Sequence, residues 1–365
     1  MKFSIARDAL LKPLNLVAGV VERRQTLPIL SNVLLTLEGN QLSLTGTDLE
    51  VELVGRVEVS KSGAEGEVTV PARKLVDICK SLPEGSDIEL SVEAGKATVK
   101  AGRSRFTLST LPASEFPSVE EGKGELTIEV AQPVLKRLID RTAFAMAQQD
   151  VRYYLNGMLL ELRSGRLRMV ATDGHRLALC TATDSVDAGD AAVIIPRKGV
   201  LELTRLLEGE DTVKLVVGSN HVRASTSQYT FTSKLVDGKF PEYERVLPKS
   251  PDKMVIGDRK ELKQAFTRTA ILSNEKYRGV RLKLSNDSLE ITANNPEQEQ
   301  AEEVVSVQYQ GDSLEVGFNV SYLLDVMSVL DTPTVRLSLS DSASSALLEE
   351  GDGGDSVYVV MPMRL

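Results

Sequence analysis

Leu-Ser-Leu-Thr-Gly-Thr-Asp-Leu-Glu at residues 42–50 returns as Leu-Arg-Met-Val-Ala-Thr-Asp-Gly-His at residues 167–175, and more weakly as Leu-Glu-Ile-Thr-Ala-Asn-Asn-Pro-Glu at residues 289–297. Two other segments, which begin at Val68 and Phe106, return at Val193 and Phe231. All three anchors are thus offset by 125 positions, and the third copy follows about 122–123 positions later. A constant offset at separate anchors predicts three related domains, which we place at 1–122, 123–246 and 247–365.

Each copy combines two amphipathic helices with short strands. Apolar residues recur at helical spacing in six segments: 7–21, 73–82, 131–149, 197–207, 259–274 and 320–330. Alternating apolar and polar residues, as in Asp-Ile-Glu-Leu-Ser-Val-Glu at 87–93, indicate strands between them. The pattern predicts an α+β fold in which two helices pack on β-sheet in each copy.

The composition is that of a folded protein. The 365 residues are 42% hydrophobic and 26% charged, and no run approaches the ~18 apolar residues that a membrane span needs. The N-terminus lacks the apolar segment of a signal peptide. Cys79 and Cys180 lie far apart, without metal or redox spacing. These features predict a cytoplasmic protein with no membrane partner.

Positive charge is concentrated on the predicted helices. They carry 15 Lys and Arg, Arg141 among them, and six Asp and Glu, so the helices sum to +9 and the rest of the chain to −18. Helix preference alone would enrich Glu as much as Lys, but only two Glu occur there. If the helices line one surface, that surface attracts phosphate while the remainder repels it. The distribution favours nucleic acid held against the helices.

Nothing in the chain indicates catalysis. Phosphate-binding loops, a nucleophile elbow and a His-Glu-x-x-His motif are all missing from the sequence. Only two histidines occur, His175 and His221. The Thr172–Arg176 cluster is better explained as a turn, and the Glu297–Glu303 run as a solvated or interface strand. We therefore predict no catalytic residue, metal or cofactor.

Several motifs together resemble one family. They are Asp150-Val-Arg-Tyr-Tyr-Leu-Asn-Gly, Ala171-Thr-Asp-Gly-His-Arg-Leu, Asp237-Gly-Lys-Phe-Pro-Glu-Tyr, Asn274-Glu-Lys-Tyr-Arg-Gly-Val and the terminal Met361-Pro-Met-Arg-Leu. Over its whole length the chain resembles the bacterial DNA sliding clamps, the beta subunits of DNA polymerase III holoenzyme. The resemblance implies that each chain forms half of a closed ring. Two chains would associate head to tail, with helices lining a hole around duplex DNA.

The resemblance also implies three sites. The residues for DNA are Arg24, Arg73, Gln149, Tyr153 and Tyr154. Arginine and glutamine suit phosphate contacts, and the tyrosines could stack on exposed bases, although one of the two rings could instead belong to the core.

The second implied site is a cleft for partner peptides. Its residues would be Leu155, Thr172, Gly174, His175, Arg176, Leu177, Pro241, Arg245, Val246, Asn319, Tyr322, Ser345, Val359, Val360, Met361, Pro362, Met363 and Arg364. Flexible methionines suit a pocket that accepts different short peptides. The terminal segment also fits a final core strand.

The third implied site is the interface between two chains. It would contain Lys74, Arg103, Arg105, Phe106, Ile271, Leu272, Glu302 and Glu303. Phe106 would face Ile271 and Leu272, while the arginine strand would pair with the glutamate strand of the other chain. Gln298 and Gln300 interrupt the acidic run, so we expect fewer ion pairs than charge alone suggests.

The partners implied are a second copy of the chain, double-stranded and primer-template DNA, the catalytic subunit of the replicative polymerase and clamp-loader subunits. Other polymerases, and mismatch-repair or ligase proteins with short clamp-binding peptides, complete the set. Such a clamp tethers the polymerase at high effective concentration. Two other classes stay open from the residues alone: a DNA-binding regulator, which needs a base-reading helix, and an enzyme.

Overall fold

The computed structural model describes residues 1–22, 27–117, 119 and 124–364. Its helices within these residues are α1 (Arg7–Val20), α2 (Ala72–Ser81), α3 (Gln132–Asp140), α4 (Arg197–Leu206), α5 (Arg259–Ala270) and α6 (Val320–Val329). The first strands are β1 (Lys2–Ala6), β2 (Asn32–Glu38), β3 (Gln41–Thr47), β4 (Val51–Glu58), β5 (Lys61–Ser62), β6 (Gly66–Pro71), β7 (Asp87–Glu93), β8 (Lys96–Ala101), β9 (Ser104–Ser109), β10 (Gly124–Ala131), β11 (Gly157–Arg163), β12 (Arg166–Thr172) and β13 (Arg176–Ser185). The remaining strands are β14 (Ala191–Pro196), β15 (Thr212–Gly218), β16 (His221–Ser225), β17 (Tyr229–Lys234), β18 (Lys253–Asp258), β19 (Gly279–Ser285), β20 (Ser288–Asn294), β21 (Gln300–Ser306), β22 (Leu314–Asn319), β23 (Thr334–Leu339), β24 (Ala346–Glu350) and β25 (Ser356–Val360).

The element order recurs in each copy of the sequence repeat. A strand and a helix come first, followed by a group of strands, a second helix and three closing strands. Four of the predicted helices agree with the structure to within one residue at each end. The α+β prediction is therefore correct at the level of individual elements.

Two predicted helices end earlier than expected, α3 at Asp140 and α5 at Ala270. After α3, Thr142 leaves helical geometry with φ −128° and its hydroxyl donates to the Leu138 carbonyl oxygen at 2.7 Å. The chain after α5 tightens into i→i+3 hydrogen bonds, such as Leu272 N–H to the Thr269 carbonyl oxygen. Apolar spacing continued past both ends, so periodicity alone overestimated the two helices.

The chain forms two compact units, each built across copies of the repeat. Unit 1 comprises Met1–Pro133 and Lys198–Leu235. It contains two antiparallel sheets, in the strand orders β5-β1-β7-β8-β9 and β10-β15-β16-β17-β4-β3-β2-β6. The larger sheet joins two copies because β17 pairs with β4, with Phe231 opposite Leu53.

Helix α1 covers one face of the larger sheet of unit 1. It packs on β3 and β4 and against α2, and Leu10, Leu14 and Val17 are fully buried there. Gly46 in β3 permits this approach, because a Cβ at that position would lie 2.7 Å from the Val17 carbonyl oxygen.

Unit 2 comprises Val134–Arg197 and Val236–Leu365. Its antiparallel sheets have the orders β14-β11-β12-β13-β25-β24-β23-β18 and β21-β20-β19-β22. The β13–β25 pair, with Leu177 opposite Val359, again joins two copies. Helix α5 packs on α6, β20 and β21. Among the described residues, no helix combines the length and the apolar character needed to cross a membrane.

The three predicted domain bounds remain a prediction. The first boundary, at 122–123, lies outside the described residues. The two compact units cut across the second copy rather than following the repeat, because inter-copy strand pairs hold its strands in two different sheets.

Candidate functional site

The residues predicted to contact DNA differ in how exposed their side chains are. Arg24 lies outside the described residues. Arg73 is exposed on α2, and its guanidinium donates to the Val21 carbonyl oxygen at 3.2 Å. Gln149 is exposed, with φ +55°. A short 3₁₀ turn places Tyr153 57% exposed and Tyr154 half-buried, with their rings edge to face at 5.9 Å.

An ion pair and an amide fix the loop that carries Gln149 and Tyr153. The Asp150 carboxylate accepts from Nε of Arg152 at 3.0 Å and from its Nη2 at 2.9 Å. These bonds lower the pKa of Asp150 to about 2, so the carboxylate is charged at neutral pH. The Asn156 side chain bonds both the N–H and the carbonyl oxygen of Asp150. The exposed Gln149 and Tyr153 side chains therefore project from a restrained loop.

The core of the predicted peptide cleft lies within unit 2. The β13–β25 pairing places Arg176 opposite Val360 and Leu177 opposite Val359. Leu177 and Val359 are buried in one hydrophobic cluster, on which Val246 and Tyr154 also pack. The sequence also allowed the terminal segment to be a core strand and one of the two Tyr rings to belong to the core. In the structure, β25 contributes Val359 to the core, and the Tyr154 ring packs against the same cluster.

The tail after β25 runs along two neighbouring elements. Met361 N–H donates to the His175 carbonyl oxygen at 3.0 Å, and Met363 N–H to the Gly317 carbonyl oxygen at 2.9 Å. The Met361 side chain is 39% exposed. The first bond attaches the tail to the predicted turn at 172–176, and the second attaches it to β22.

Arg176 is the main polar anchor of this region. Its guanidinium bonds the carboxylates of Asp173 and Asp325 and donates to the Phe144 carbonyl oxygen at 2.8 Å. It also lies over the Tyr322 ring, 4.4 Å from the centroid. Burial raises the pKa of Tyr322. Arg176 therefore shapes the cleft mainly through contacts within the chain.

The 172–176 segment forms the turn that the sequence predicted. Asp173 Oδ1 accepts from the N–H groups of His175 and Arg176 at 2.9 and 3.1 Å. Gly174 has φ +88°, and its N–H donates to the Thr172 hydroxyl. The side chain of His175 is exposed at the surface of the turn. No group of three or more metal-ligating side chains occurs in the part of the chain that the structure describes.

The remaining cleft residues fall into three environments. Leu155 is buried, and Asn319 caps α6 by accepting from Ser321 N–H at 2.9 Å. Ser345 and Pro362 are half-buried, whereas Pro241 and Arg364 are exposed. Arg245 is also exposed and pairs with Glu242 at 2.6 Å. Asn319 therefore also has a structural role, because an asparagine directly before a helix suits the N-cap position.

The predicted interface residues lie on two edge strands and on two helices. Strand β9, with Arg103 just before it and Arg105 within it, is the last strand of a unit 1 sheet, and β21, with Glu302, is the last strand of a unit 2 sheet. Ile271 is 74% exposed at the end of α5, next to the half-buried Leu272. Phe106 is half-buried, and Lys74 is exposed on α2.

Two features of this region were not predicted. Glu303 already holds Arg268 of the same chain, with Nε–Oε1 and Nη2–Oε2 distances of 2.5 and 2.9 Å. Val304 is 62% exposed on β21. Side chains alternate along a strand, so two adjacent valines, Val304 and Val305, already imply that one of them is exposed. An exposed valine on an edge strand indicates a surface that can pair with another strand.

The charge count over the predicted helices included three arginines whose guanidinium groups are occupied by contacts within the chain. Arg141 is 3% exposed and pairs with Glu350 at 3.0 Å. Arg7 donates to the Cys79 carbonyl oxygen, and Arg259 donates to the carbonyl oxygens of Met327 and Thr332. These three arginines support the fold, because buried or end-capping guanidinium groups satisfy backbone and carboxylate acceptors.

Comparison with known proteins gives consistent matches over the whole chain. Residues 1–120, 129–242 and 244–364 match the N-terminal, central and C-terminal domains of the DNA polymerase III beta subunit. The beta sliding clamps of Pseudomonas aeruginosa and Escherichia coli are 68% and 54% identical, each over 100% of both chains. A crystal structure of the Pseudomonas aeruginosa DNA polymerase sliding clamp with ligand has a TM-score of 0.96 at 67% identity and full coverage. The beta sliding clamp of Caulobacter crescentus has a TM-score of 0.94 at 41% identity, over 100% of this chain and 99% of that one.

These matches confirm the family resemblance, the fold class and the prediction that the protein is not an enzyme. The chain therefore belongs to the DNA polymerase III beta subunit family: it is a DNA sliding clamp, a replication processivity factor.

Proposed function

We propose that two copies of this chain close head to tail around duplex DNA, with β9 of each copy pairing with β21 of the other. The observation that carries this proposal is one edge strand in each unit, β9 and β21, with exposed apolar side chains at Val304 of β21 and at Ile271 at the end of α5. Unpaired edges bind other strands readily, and a head-to-tail contact must close to avoid filaments. Domains at 1–122, 123–246 and 247–365 then give six per ring.

DNA contact in this proposal is sequence-independent. Arg24, Arg73 and Gln149 contact phosphates, and the exposed Tyr153 ring stacks on bases at a single-stranded junction. Tyr154 contributes less, because it packs on the hydrophobic cluster. Non-specific phosphate binding is weak, roughly 10⁻⁴–10⁻⁶ M, and falls with salt. Retention then depends on closure of the ring and not on tight binding.

The cleft around Leu177, Val359 and Met361 takes short peptides of the replicative polymerase, the clamp loader and repair proteins. Supporting this, a sliding clamp from Pseudomonas aeruginosa has been solved bound to griselimycin, with a TM-score of 0.97 to this chain. The proposal places the protein in the cytoplasm, where the buried Cys79 and Cys180 remain unpaired thiols. Burial raises the pKa of each thiol to about 11, so neither is a reactive thiolate.

The decisive test compares circular with linear DNA. After loading, the clamp should remain on nicked circular DNA and leave linear DNA by sliding off its ends, because closure supplies the retention. Gel filtration of the loaded complexes measures the fraction of clamp that remains on each DNA. Equal loss from the two substrates would rule out topological linkage and favour an ordinary DNA-binding protein.

A second test addresses the cleft. Deleting Met363, Arg364 and Leu365 should abolish polymerase-peptide binding, because it removes the Met363–Gly317 backbone bond that holds the tail beside β22. Isothermal calorimetry measures the affinity, and light scattering checks that the deletion variant remains dimeric. Undiminished affinity would contradict the proposed cleft.

A further inference from the structure

A groove of about 800 Å³ lies in unit 2, on the face of the sheet that carries the hydrophobic cluster. We call it the arginine groove and define it by Arg166 and Arg168 of β12, Leu179 of β13, Val357 of β25 and Leu247. Its volume is within the range of small-ligand and peptide side-chain pockets. None of these residues belongs to the predicted peptide cleft.

The apolar floor of the groove is continuous with that cleft. Leu179 belongs to the same cluster as the cleft residues Leu177 and Val359, and Leu247 and Val357 pack against it. Leu177 and Leu179 point to the same face of β13, since side chains alternate along a strand. A peptide seated over Leu177 thus reaches the groove by extending along the strand.

The polar wall of the groove combines the guanidinium groups of Arg137, Arg166 and Arg168 with three carboxylates. Its three carboxylates already have guanidinium partners: Asp355 binds Arg137 at 2.5 Å, Glu350 binds Arg141 at 3.0 Å, and Glu244 binds Arg163 at 3.3 Å.

Two arginines of the wall retain unused donors. Arg166 is exposed, and its side chain makes no ion pair or hydrogen bond to any residue that the structure describes. Nε of Arg168 is buried and unbonded within the same residues. Its Nη1 bonds the Tyr243 hydroxyl at 3.2 Å and lies 3.6 Å from Glu161 and 3.8 Å from Glu244. Guanidinium donors without a partner beside an apolar floor suit a carboxylate carried on an apolar peptide.

We propose that the arginine groove binds an acidic flank of the partner peptides whose apolar part occupies the cleft, with Arg166 contacting the carboxylate. This inference rests on the proposed peptide cleft and adds a specificity element to it. Partners with an acidic flank would compete better for the clamp than partners with a neutral one.

The test uses three synthetic peptides with one apolar core, taken from the clamp-binding segment of the replicative polymerase. Their flanks carry aspartates, serines or lysines. Fluorescence anisotropy measures their affinities for the dimeric wild-type clamp, Arg166→Gln and Arg166→Glu. Lys214→Glu is the matched control, because it makes the same charge change at an exposed position of β15 outside the groove.

We expect wild type to bind the aspartate peptide about fivefold more tightly than the serine peptide, as suits an exposed charge pair. Arg166→Gln should remove this preference, and Arg166→Glu should instead favour the lysine peptide. Lys214→Glu should behave as wild type. Equal binding of the aspartate and serine peptides by wild type would overturn the inference and leave the cleft intact. Failure of all three peptides to bind would instead overturn the cleft itself.

Discussion

Replacing Ile271 and Leu272 together by alanine should convert the dimeric clamp into monomers. Ile271 is 74% exposed at the end of α5, although its side chain is large and apolar. Exposed apolar groups of this kind mark interaction surfaces, and a few buried anchors supply most of the binding energy of an interface. The neighbouring charges contribute less, since exposed ion pairs are worth about 0–1 kcal/mol each.

Multi-angle light scattering gives the mass of the variant directly. The control replaces Lys260 and Gln264 by alanine, because both are exposed polar residues on the same helix, and it should stay dimeric. Far-ultraviolet circular dichroism checks that both variants are folded. A mass of two chains for the Ile271→Ala, Leu272→Ala variant would show that the interface lies elsewhere.

Arg141→Ala should lower the free energy of unfolding by about 3–5 kcal/mol, the usual cost of breaking a buried ion pair. The side chains of Arg141 and Glu350 are 4% and 8% exposed, and Nη1 lies 3.0 Å from Oε1. Removing the guanidinium leaves the buried Glu350 carboxylate with only a longer contact, to Nη2 of Arg137 at 4.0 Å. The pair also joins a residue just after α3 to β24, so its loss weakens the contact between two copies of the repeat inside unit 2.

Urea denaturation followed by circular dichroism measures the change. Lys136→Ala is the control, because Lys136 pairs with Asp140 at 3.5 Å in an exposed i,i+4 arrangement that is worth only about 0.3–0.5 kcal/mol. Replacing Arg141 and Glu350 together by leucine should recover much of the loss, since an apolar pair needs no charge compensation. A loss below about 1 kcal/mol for Arg141→Ala would show that the carboxylate finds another partner.

Local features of the candidate sites could be predicted from the sequence, whereas their long-range contacts could not. The turn at 172–176 followed from Asp173-Gly174, whose side-chain acceptor and positive φ are local properties. The contacts of Arg176 with Asp325 and Tyr322 did not follow from the residues, because they join positions about 150 apart in sequence. The residues assigned to DNA, peptide and dimer contacts remain predictions, supported by exposure at Gln149 and Ile271 and weakened by burial at Tyr154.

The sequence by itself determined the threefold order of strands and helices. Periodicity and turn residues act within one copy through local backbone preferences, and the 125-residue offset shows that the copies repeat. Only the tertiary structure decided that strands of successive copies share one sheet, as in the β17–β4 and β13–β25 pairs. Such pairing requires the unpaired edges of two distant strands to come together in the folded chain. No local sequence pattern predicts which two edges do so. The same reason applies to Arg141, which the sequence counted as a surface cation and the fold placed in a buried ion pair.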